Sequence, residues 1–362
     1  MQLFGEEERI SGYENLSITI CLSARQLIPF IQIAYEKKAP GFLNKVDNIE
    51  EIIRKHYGTI YTDKEVYAQE VLKMEQVQWT LPGTQFSTLG EEGKPGNFLV
   101  RRVRLSDSTF HEQNFYAQAL LPFFIEGASP VEPSPFWNYF LVYNAESKEL
   151  VALFTVYEAH LAFDQFRTKI SQVLVLPPYQ RKGIASRVYE QIYNEYRLNT
   201  PHCFQVMTED AADDFQKVQD ITHSKIILKA LKELSQTDSK LSFKAMPDVI
   251  DKQSQIKDAQ LSKAQILHLT KLLKLPSRVI LQINDLLVYS RLTDSNEAVK
   301  AEYRLTIKRR LYLRCMNAYP ELFVGARERL TNKAGGLKEP YLYNEVLEDD
   351  QFARKTGEEE DG

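Results

Sequence analysis

The segment from Gln172 to Ala185, with the sequence QVLVLPPYQRKGIA, constrains the fold of this chain most strongly. A short apolar run, Val173 to Leu176, ends at two prolines, and the polar stretch Gln180 to Lys182 then leads into Gly183. Apolar residues recur after it at helical spacing, at Ile184, Val188, Ile192 and Tyr196. This pattern predicts a strand, a tight loop and an amphipathic helix.

A loop of this kind suits an anion. The first N–H groups of a helix lack partners within the helix, and a glycine allows an anion to approach the backbone closely. A diphosphate would fit the loop, and the edge of the strand would pair with an extended, peptide-like chain; coenzyme A contains both parts. Residues 180–186 hold a single glycine, so neither the Rossmann GxGxxG nor the P-loop GxxxxGK[ST] is present. The alternative is an ordinary α/β connection without a ligand.

The pattern Gln/Arg-x-x-Gly-x-Ala resembles the acyl-CoA signature of the GCN5-related N-acetyltransferases. Further segments narrow the resemblance to the catalytic subunit of type B histone acetyltransferases, and they occur in the family's order and roughly its spacing. These segments are Phe4-Gly-Glu-Glu-Glu with Gly12-Tyr13, Phe124 to Ser129, Thr208-Glu-Asp210, and Tyr303 to Leu311. The resemblance spans about residues 3–315.

The family implies a mixed α/β (α+β) fold with a GCN5-related N-acetyltransferase core sheet. The expected parts are an N-terminal α/β domain at 1–105, an acetyl-CoA-binding core at 106–235, a C-terminal helical domain at 246–316, and a partly disordered tail at 317–362. The implied reaction transfers acetyl from acetyl-CoA to lysine side chains of newly made histone H4. The implied partners are the H4 tail, together with H3–H4, and a WD-repeat histone-binding subunit.

Two other functions remain open from the residues. One is an acetyltransferase of the same superfamily that acts on another amine, such as a protein N-terminus or a polyamine. The N- and C-terminal extensions argue against a small-amine enzyme. The other is a non-catalytic histone-binding subunit, against which the retained carboxylates and CoA loop argue.

Acetylation of a lysine requires a base, because the lysine pKa of ~10.4 leaves the amine protonated at neutral pH. The candidates are Glu209, Asp210 and Glu126, of which Glu209 is expected to be the main base. Glu209 and Asp210 follow a predicted strand, Phe204 to Thr208, and neighbouring strand residues face opposite sides of a sheet. Asp210 would then shape the local charge or cap the helix that begins near Asp213. The thiol alternative, Cys203, is interpreted as a small buried strand residue.

The resemblance also implies binding residues. The acetyl-CoA contacts fall on Val173, Leu174 and Val175 and on Gln180, Arg181, Lys182, Gly183, Ile184, Ala185 and Ser186. Asp214 lies where the family has another cofactor contact, although an acidic side chain suits an anionic cofactor poorly. The acceptor surfaces fall on Asp47, Asn48 and Ile49 and on Tyr157, Glu158 and Ala159. Asp47 and Glu158 would steer a basic tail; read without the family, each is an ordinary surface acid.

Composition excludes several classes. The 362 residues carry a net charge of −4 with no long basic run, which argues against direct nucleic-acid binding. The three cysteines are widely spaced, and the histidines form no HExxH pair, so neither a disulfide framework nor a metal site is expected. We find no signal-peptide h-region and no 18-residue apolar stretch, so no membrane association is expected. The expected location is the nucleus and cytoplasm.

Local patterns predict further elements. Strands are expected at Leu16 to Leu22, Phe98 to Val103, Tyr139 to Tyr143 and Val151 to Tyr157, with a turn at Asn144 to Lys148. Helices are expected around Ile49, Ile52 and Ile53, from His111 to Ile125, and through the region from about 258 onward. The stretch 82–96 is expected to be a surface loop. The cluster Lys308-Arg309-Arg310 is expected to form a solvated helix face.

Overall fold

The computed structural model describes residues 4, 9–38, 46–77, 80–90, 96–104, 111–125, 127–132, 134–161, 164–237, 248–292 and 296–318. These residues fall into two compact units, one within 1–160, 167–196 and 207–211 and the other within 161–166, 197–206 and 212–362. The mixed α/β class and the helical C-terminal region are confirmed. The finer domain boundaries given above stay a prediction.

The strands make one large sheet and two small ribbons. In chain order they are β1 (Tyr13–Glu14), β2 (Ser17–Leu22), β3 (Pro29–Ala34), β4 (Lys37–Lys38), β5 (Thr84–Leu89), β6 (Phe98–Arg104), β7 (Trp137–Asn144), β8 (Leu150–His160), β9 (Phe166–Val175) and β10 (Cys203–Thr208). The large sheet has the strand order β10-β9-β8-β7-β6-β5. The ribbons pair β1 with β4 and β2 with β3, both antiparallel.

The middle of the sheet forms because β7 and β8 are apolar on both faces. Their antiparallel register runs from Trp137 opposite Tyr157 to Tyr143 opposite Leu150. Nearly all of β7 is buried, as expected for a short, continuous apolar run. Asn144 closes the hairpin, since its side-chain oxygen accepts hydrogen bonds from the backbone N–H groups of Glu146 and Ser147. The two predicted strands and their turn are confirmed.

The prediction of a loop across 82–96 is wrong for Thr84 to Leu89, which form the edge strand β5. This strand pairs antiparallel with β6, with a bulge between Gln85 and Ser87. Phe86 meets the ring of Phe140 edge to face, with centroids 4.9 Å apart, and Leu89 is buried. The polar residues between them are compatible with a strand because an edge strand keeps one side in solvent. The proline and glycines on which the loop prediction relied only flank the strand.

The first unit contains the helices α1 (Ile49–Tyr57), α2 (Lys64–Gln76), α3 (His111–Leu120) and α4 (Ile184–Asn194). Helix α1 is the predicted one, and it buries Ile49, Ile53 and Tyr57. Helix α2 was not predicted, because it buries no side chain and so has no apolar stripe. Helix α3 ends five residues before the predicted Ile125. A 3-10 turn that contains Pro122 follows it, since proline removes the N–H that would continue the helix.

The second unit contains the helices α5 (Asp213–Thr237), α6 (Gln253–Asp258), α7 (Lys263–Leu273), α8 (Ser277–Tyr289) and α9 (Glu297–Ala318). The predicted starts near Asp213 and at Pro276-Ser277 are confirmed. Lys308 and Arg309 are exposed, as expected. The prediction is wrong for Arg310, which forms an ion pair with Asp285 of α8. Among the described residues, no helix is both long and apolar enough to cross a bilayer.

Candidate active site

Strand β9 presents two different faces. Burial alternates along its whole length, with Ile170, Gln172 and Leu174 on the buried side. Lys169, Ser171, Val173 and Val175 therefore share the other, half-buried side. Because the apolar run in the sequence begins only at Val173, it predicted the end of this strand but not its polar first half.

The loop after β9 opens helix α4 as predicted. Gly183 occupies the N-cap position with φ 72° and ψ 12°, in the left-handed region that favours glycine. A Cβ added there would meet no atom within 4 Å, so the space above the loop is open. The first intrahelical bond at this end joins the N–H of Arg187 to the carbonyl of Gly183. Helix geometry leaves the N–H groups of Ile184, Ala185 and Ser186 without acceptors inside the helix, as an anion site requires.

Side chains around the loop fix its shape. Gln180 donates from Nε2 to the carbonyl oxygen of Val175 at 2.9 Å, which ties the loop to the end of β9. Tyr179 donates to Glu149 Oε2 at 2.7 Å. Burial, followed by this contact with Glu149, raises the pKa of Tyr179 to about 12. The Lys182 ammonium lies 5.2 Å from the centre of the Tyr179 ring. Its charge is thus held beside the predicted diphosphate loop.

The chain also leaves β10 beside β9. The N–H of Glu209 donates to the carbonyl of Ile170 at 3.0 Å. Strand β10 ends at Thr208, whereas β9 continues from Ile170 through Val175. The residues Val173 to Val175, predicted to contact acetyl-CoA through their backbone, therefore lie beyond the end of β10.

The carboxylate of Glu209 is held by two side chains of β9. Ser171 Oγ donates to Glu209 Oε2 at 3.0 Å, and Lys169 Nζ lies 3.8 Å from Glu209 Oε1. The Glu209 side chain is 47% exposed, so it is oriented and still accessible. A carboxylate in this position can accept a proton from a bound amine.

The expected division between Glu209 and Asp210 is wrong in one respect. Strand geometry does not persist to Asp210, which has φ 36° in the left-handed region. Both residues consequently line the same cleft instead of facing opposite sides of the sheet. Asp210 lines the cleft, and its role in shaping the local charge stays a prediction.

This cleft has a volume of about 830 Å³ and lies within the first unit. One wall is aromatic: the rings of Trp137 and Tyr157 lie 4.9 Å apart, and Phe136 lies beside Tyr157. Its acidic members are Glu132, Glu209 and Asp210. The remaining lining residues are Ile125, Gly127, Ala128, Ser129, Pro130, Val131, Ser134, Ser171 and Gln172. The cleft therefore suits the apolar stem and charged end of a lysine side chain.

Buried polar contacts hold the floor of the cleft. Gln172 donates from Nε2 to the carbonyl of Ser129 at 2.7 Å, and its own N–H donates to Thr155 Oγ1 at 2.9 Å. Thr155 is fully buried, and Gln172 is nearly so. Sequence reasoning assigned no role to Gln172, Ser171 or Trp137. Residues two positions apart in a strand point to the same face. The spacing of Lys169, Ser171 and Val173 could therefore have placed Ser171 on the face with Val173.

The predicted acceptor residues near Asp47 are engaged in local structure. Asp47 Oδ2 accepts the N–H of Ser11 at 2.7 Å, and its backbone oxygen accepts the hydroxyl of Tyr13. Asn48 is the N-cap of α1, and Ile49 is 1% exposed. These contacts explain the residues by folding, and their role in binding an acceptor stays a prediction.

The three residues of the second predicted acceptor segment, 157–159, differ in their position relative to the cleft. Tyr157 lines the cleft, whereas Glu158 is not among the lining residues and Ala159 is half-buried. The Glu158 side chain is only 13% exposed, so its interpretation as an ordinary surface acid is wrong. Its Oε1 accepts hydrogen bonds from Arg102, Asn138 and Tyr196. A carboxylate paired with Arg102 in this way retains little net charge for steering.

Three further predictions concern other positions. Glu126 lies outside the described residues, although Ile125 and Gly127 on either side of it line the cleft. Asp214 is exposed at the start of α5 and lies 2.9 Å from Lys217 Nζ. Cys203 is fully buried, as the strand interpretation predicted. Within the described part of the chain, no cluster of His, Cys, Asp or Glu has the makings of a metal site.

Comparison with known proteins finds similarity to histone acetyltransferases. Residues 1–126 match the protein family described as histone acetyl transferase HAT1 N-terminus. The histone acetyltransferase type B catalytic subunit of Neurospora crassa is 25% identical over 260 residues, which cover 60% of this chain and 50% of that protein. The Candida albicans protein of the same name is 25% identical over 331 residues, or 86% of this chain and 74% of that protein.

The resemblance to type B histone acetyltransferase catalytic subunits is confirmed. The chain spans about half the length of the first curated relatives that it matches. Among solved structures, the xEco2 acetyltransferase domain bound to a CoA conjugate is 12% identical, covers 38% of this chain and 92% of that chain, and has a TM-score of 0.30.

Proposed function

We propose that this protein transfers the acetyl group of acetyl-CoA to lysine side chains of histones. The observation that carries the proposal is the oriented Glu209 carboxylate in an acidic and aromatic cleft, beside the strand that leads into the Gly183 loop. The similarity to type B histone acetyltransferase catalytic subunits supplies the reaction class and the acceptor class.

Acetyl-CoA would bind along β9 and the loop after it. The backbone of Val173, Leu174 and Val175 pairs with the pantetheine arm, and the loop from Gln180 to Ser186 receives the diphosphate, chiefly on the N–H groups of Ile184, Ala185 and Ser186. The open space at Gly183 and the nearby charge of Lys182 support this placement. No metal takes part in the proposed reaction.

The chemistry begins when Glu209 accepts a proton from the lysine ammonium, directly or through a water. The neutral amine then attacks the thioester carbonyl and forms the new C–N bond. Collapse of the tetrahedral intermediate breaks the C–S bond, the new amide nitrogen loses its second proton, and the departing CoA thiolate takes up that proton. Asp210 and Glu126 are proposed as auxiliary carboxylates. The aromatic wall would hold the lysine stem in line with the thioester.

The preferred acceptor is proposed to be the N-terminal tail of newly made histone H4, presented with H3–H4. A WD-repeat histone-binding subunit is the proposed partner, and the nucleus and cytoplasm are the proposed locations. The acids of the cleft, Glu132, Glu209 and Asp210, support a basic acceptor because opposite charges speed the encounter.

The test is incubation with acetyl-CoA and an H4-tail peptide, followed by mass spectrometry. We expect a mass gain of one acetyl group on a lysine, and none on a control peptide in which every lysine is arginine. Acetylation of only the peptide N-terminus, or of spermine in preference to the peptide, would favour the other-amine alternative. Binding of the peptide without acetyl transfer would favour the non-catalytic alternative.

A further inference from the structure

Ser171 occupies a position that the proposed mechanism leaves unassigned. Its hydroxyl donates to Glu209 Oε2 at 3.0 Å, and the residue itself lines the cleft. It belongs to the half-buried face of β9 that also carries Val173 and Val175, the predicted acetyl-CoA segment. The hydroxyl thus joins the carboxylate to the same strand face along which the cofactor is proposed to lie.

Glu209 needs such a contact because its own backbone does not fix its side chain. The strand ends one residue earlier, at Thr208, and the next residue, Asp210, turns into the left-handed region. A glutamate that is 47% exposed at a strand end would otherwise sample several rotamers. One charge-assisted hydrogen bond to Oε2 selects the rotamer that faces the cleft, and Oε1 then lies on the other side, near the Lys169 ammonium.

Lys169 contributes less to this orientation. Its ammonium lies 3.8 Å from Glu209 Oε1, which is longer than a hydrogen bond, and its side chain is 33% exposed. Exposed ion pairs of this kind have small effects, since solvent screens the charges and the long side chain stays mobile. Ser171 is short and is fixed by the strand, so its hydroxyl is the more precise contact.

We propose that Ser171 is a positioning residue that holds Glu209 in the orientation needed to accept the proton from the acceptor amine. The inference rests on the proposed function, in which Glu209 is the base. Ser171 acts only through Glu209 and forms no bond with the acetyl group.

The experiment is a double-mutant cycle on the full chain, with kcat and both KM values measured for acetyl-CoA and an H4-tail peptide. Loss of a hydrogen bond to a half-exposed charged group predicts about a tenfold fall in kcat for Ser171→Ala. Both KM values should change by less than about twofold. Ser171→Thr keeps the hydroxyl and should recover most of the rate. Ser290→Ala removes a serine hydrogen bond to the carbonyl of Leu287, outside the residues that line the cleft; it is the control and should leave kcat unchanged.

The decisive comparison is Ser171→Ala in a Glu209→Gln background. If Ser171 acts through Glu209, the second substitution lowers kcat no further than Glu209→Gln alone. A full tenfold loss in that background, or no loss in the single variant while Glu209→Gln is slow, overturns the positioning role and leaves the base intact. A Glu209→Gln enzyme with the wild-type rate instead overturns the assignment of the base itself. Equal thermal unfolding of all variants shows that the differences are not losses of folded protein.

Discussion

Gly183 offers a substitution whose effects can be worked out from the backbone. Its φ of 72° lies in the left-handed region, where a β-branched side chain costs about 1–2 kcal/mol. A Cβ added at this position would meet no protein atom within 4 Å, so the substitution has room where its side chain begins. The side chain would fill the open space where the diphosphate is proposed to sit. Each lost hydrogen bond from backbone N–H to phosphate is worth about 1.5–3 kcal/mol.

These values predict that Gly183→Val raises the KM for acetyl-CoA about 10- to 100-fold. The assay is steady-state acetylation of an H4-tail peptide at varied acetyl-CoA, with direct calorimetric titration of CoA. The matched control is Gly96→Val, because Gly96 has φ 84° and equally open surroundings. Both variants should lose similar stability, but only Gly183→Val should lose cofactor affinity. Unchanged acetyl-CoA affinity in Gly183→Val would refute the placement of the diphosphate on this loop.

Two further predictions concern charge and pH. If acids steer a basic tail, Asp47→Asn, Glu158→Gln and Glu132→Gln raise the peptide KM most at low salt, where the Debye length exceeds ~8 Å. The smallest effect is expected for Glu158, which is paired with Arg102, and an unchanged KM and salt dependence in all three variants would exclude steering by these acids. Burial lowers the pKa of His223 to about 4 from 6.5, so the unfolded chain binds the proton more readily. Stability should therefore fall by about 3 kcal/mol as the pH drops from 6.5 to 4, and urea unfolding of His223→Gln should lack this decline.

The sequence predicted most of the elements that place the site, because their signals are local. The prolines after Leu176 and the spacing of Ile184, Val188 and Ile192 were sufficient for the strand, loop and helix. The apolar runs of β7 and β8 were equally direct. Helix α2 and strand β5 were missed because most of their side chains are exposed or only partly buried. Neither segment therefore carries a complete apolar pattern.

The site was less predictable than the fold because its contacts join distant residues. Nothing in the local sequence indicates that Ser171 reaches Glu209, or that Arg102 neutralises Glu158. The expectation that Glu209 and Asp210 face opposite sides assumed a strand that the left-handed turn at Asp210 interrupts. The family resemblance supplied the candidate site residues, and the fold supplied their orientation.

The most direct test of the proposed catalytic site is the rate of Glu209→Gln. Glutamine keeps the shape of the side chain but cannot accept the proton, and loss of a general base typically lowers the rate by ~10²–10⁴-fold. We predict a fall of that size in kcat for the H4-tail peptide, measured across the pH range, with acetyl-CoA binding retained. Because Asp210 lines the same cleft, Asp210→Asn in addition should not act independently of Glu209→Gln. A Glu209→Gln enzyme that keeps the wild-type rate and the same fall in activity at low pH would contradict the assignment of Glu209 as the base.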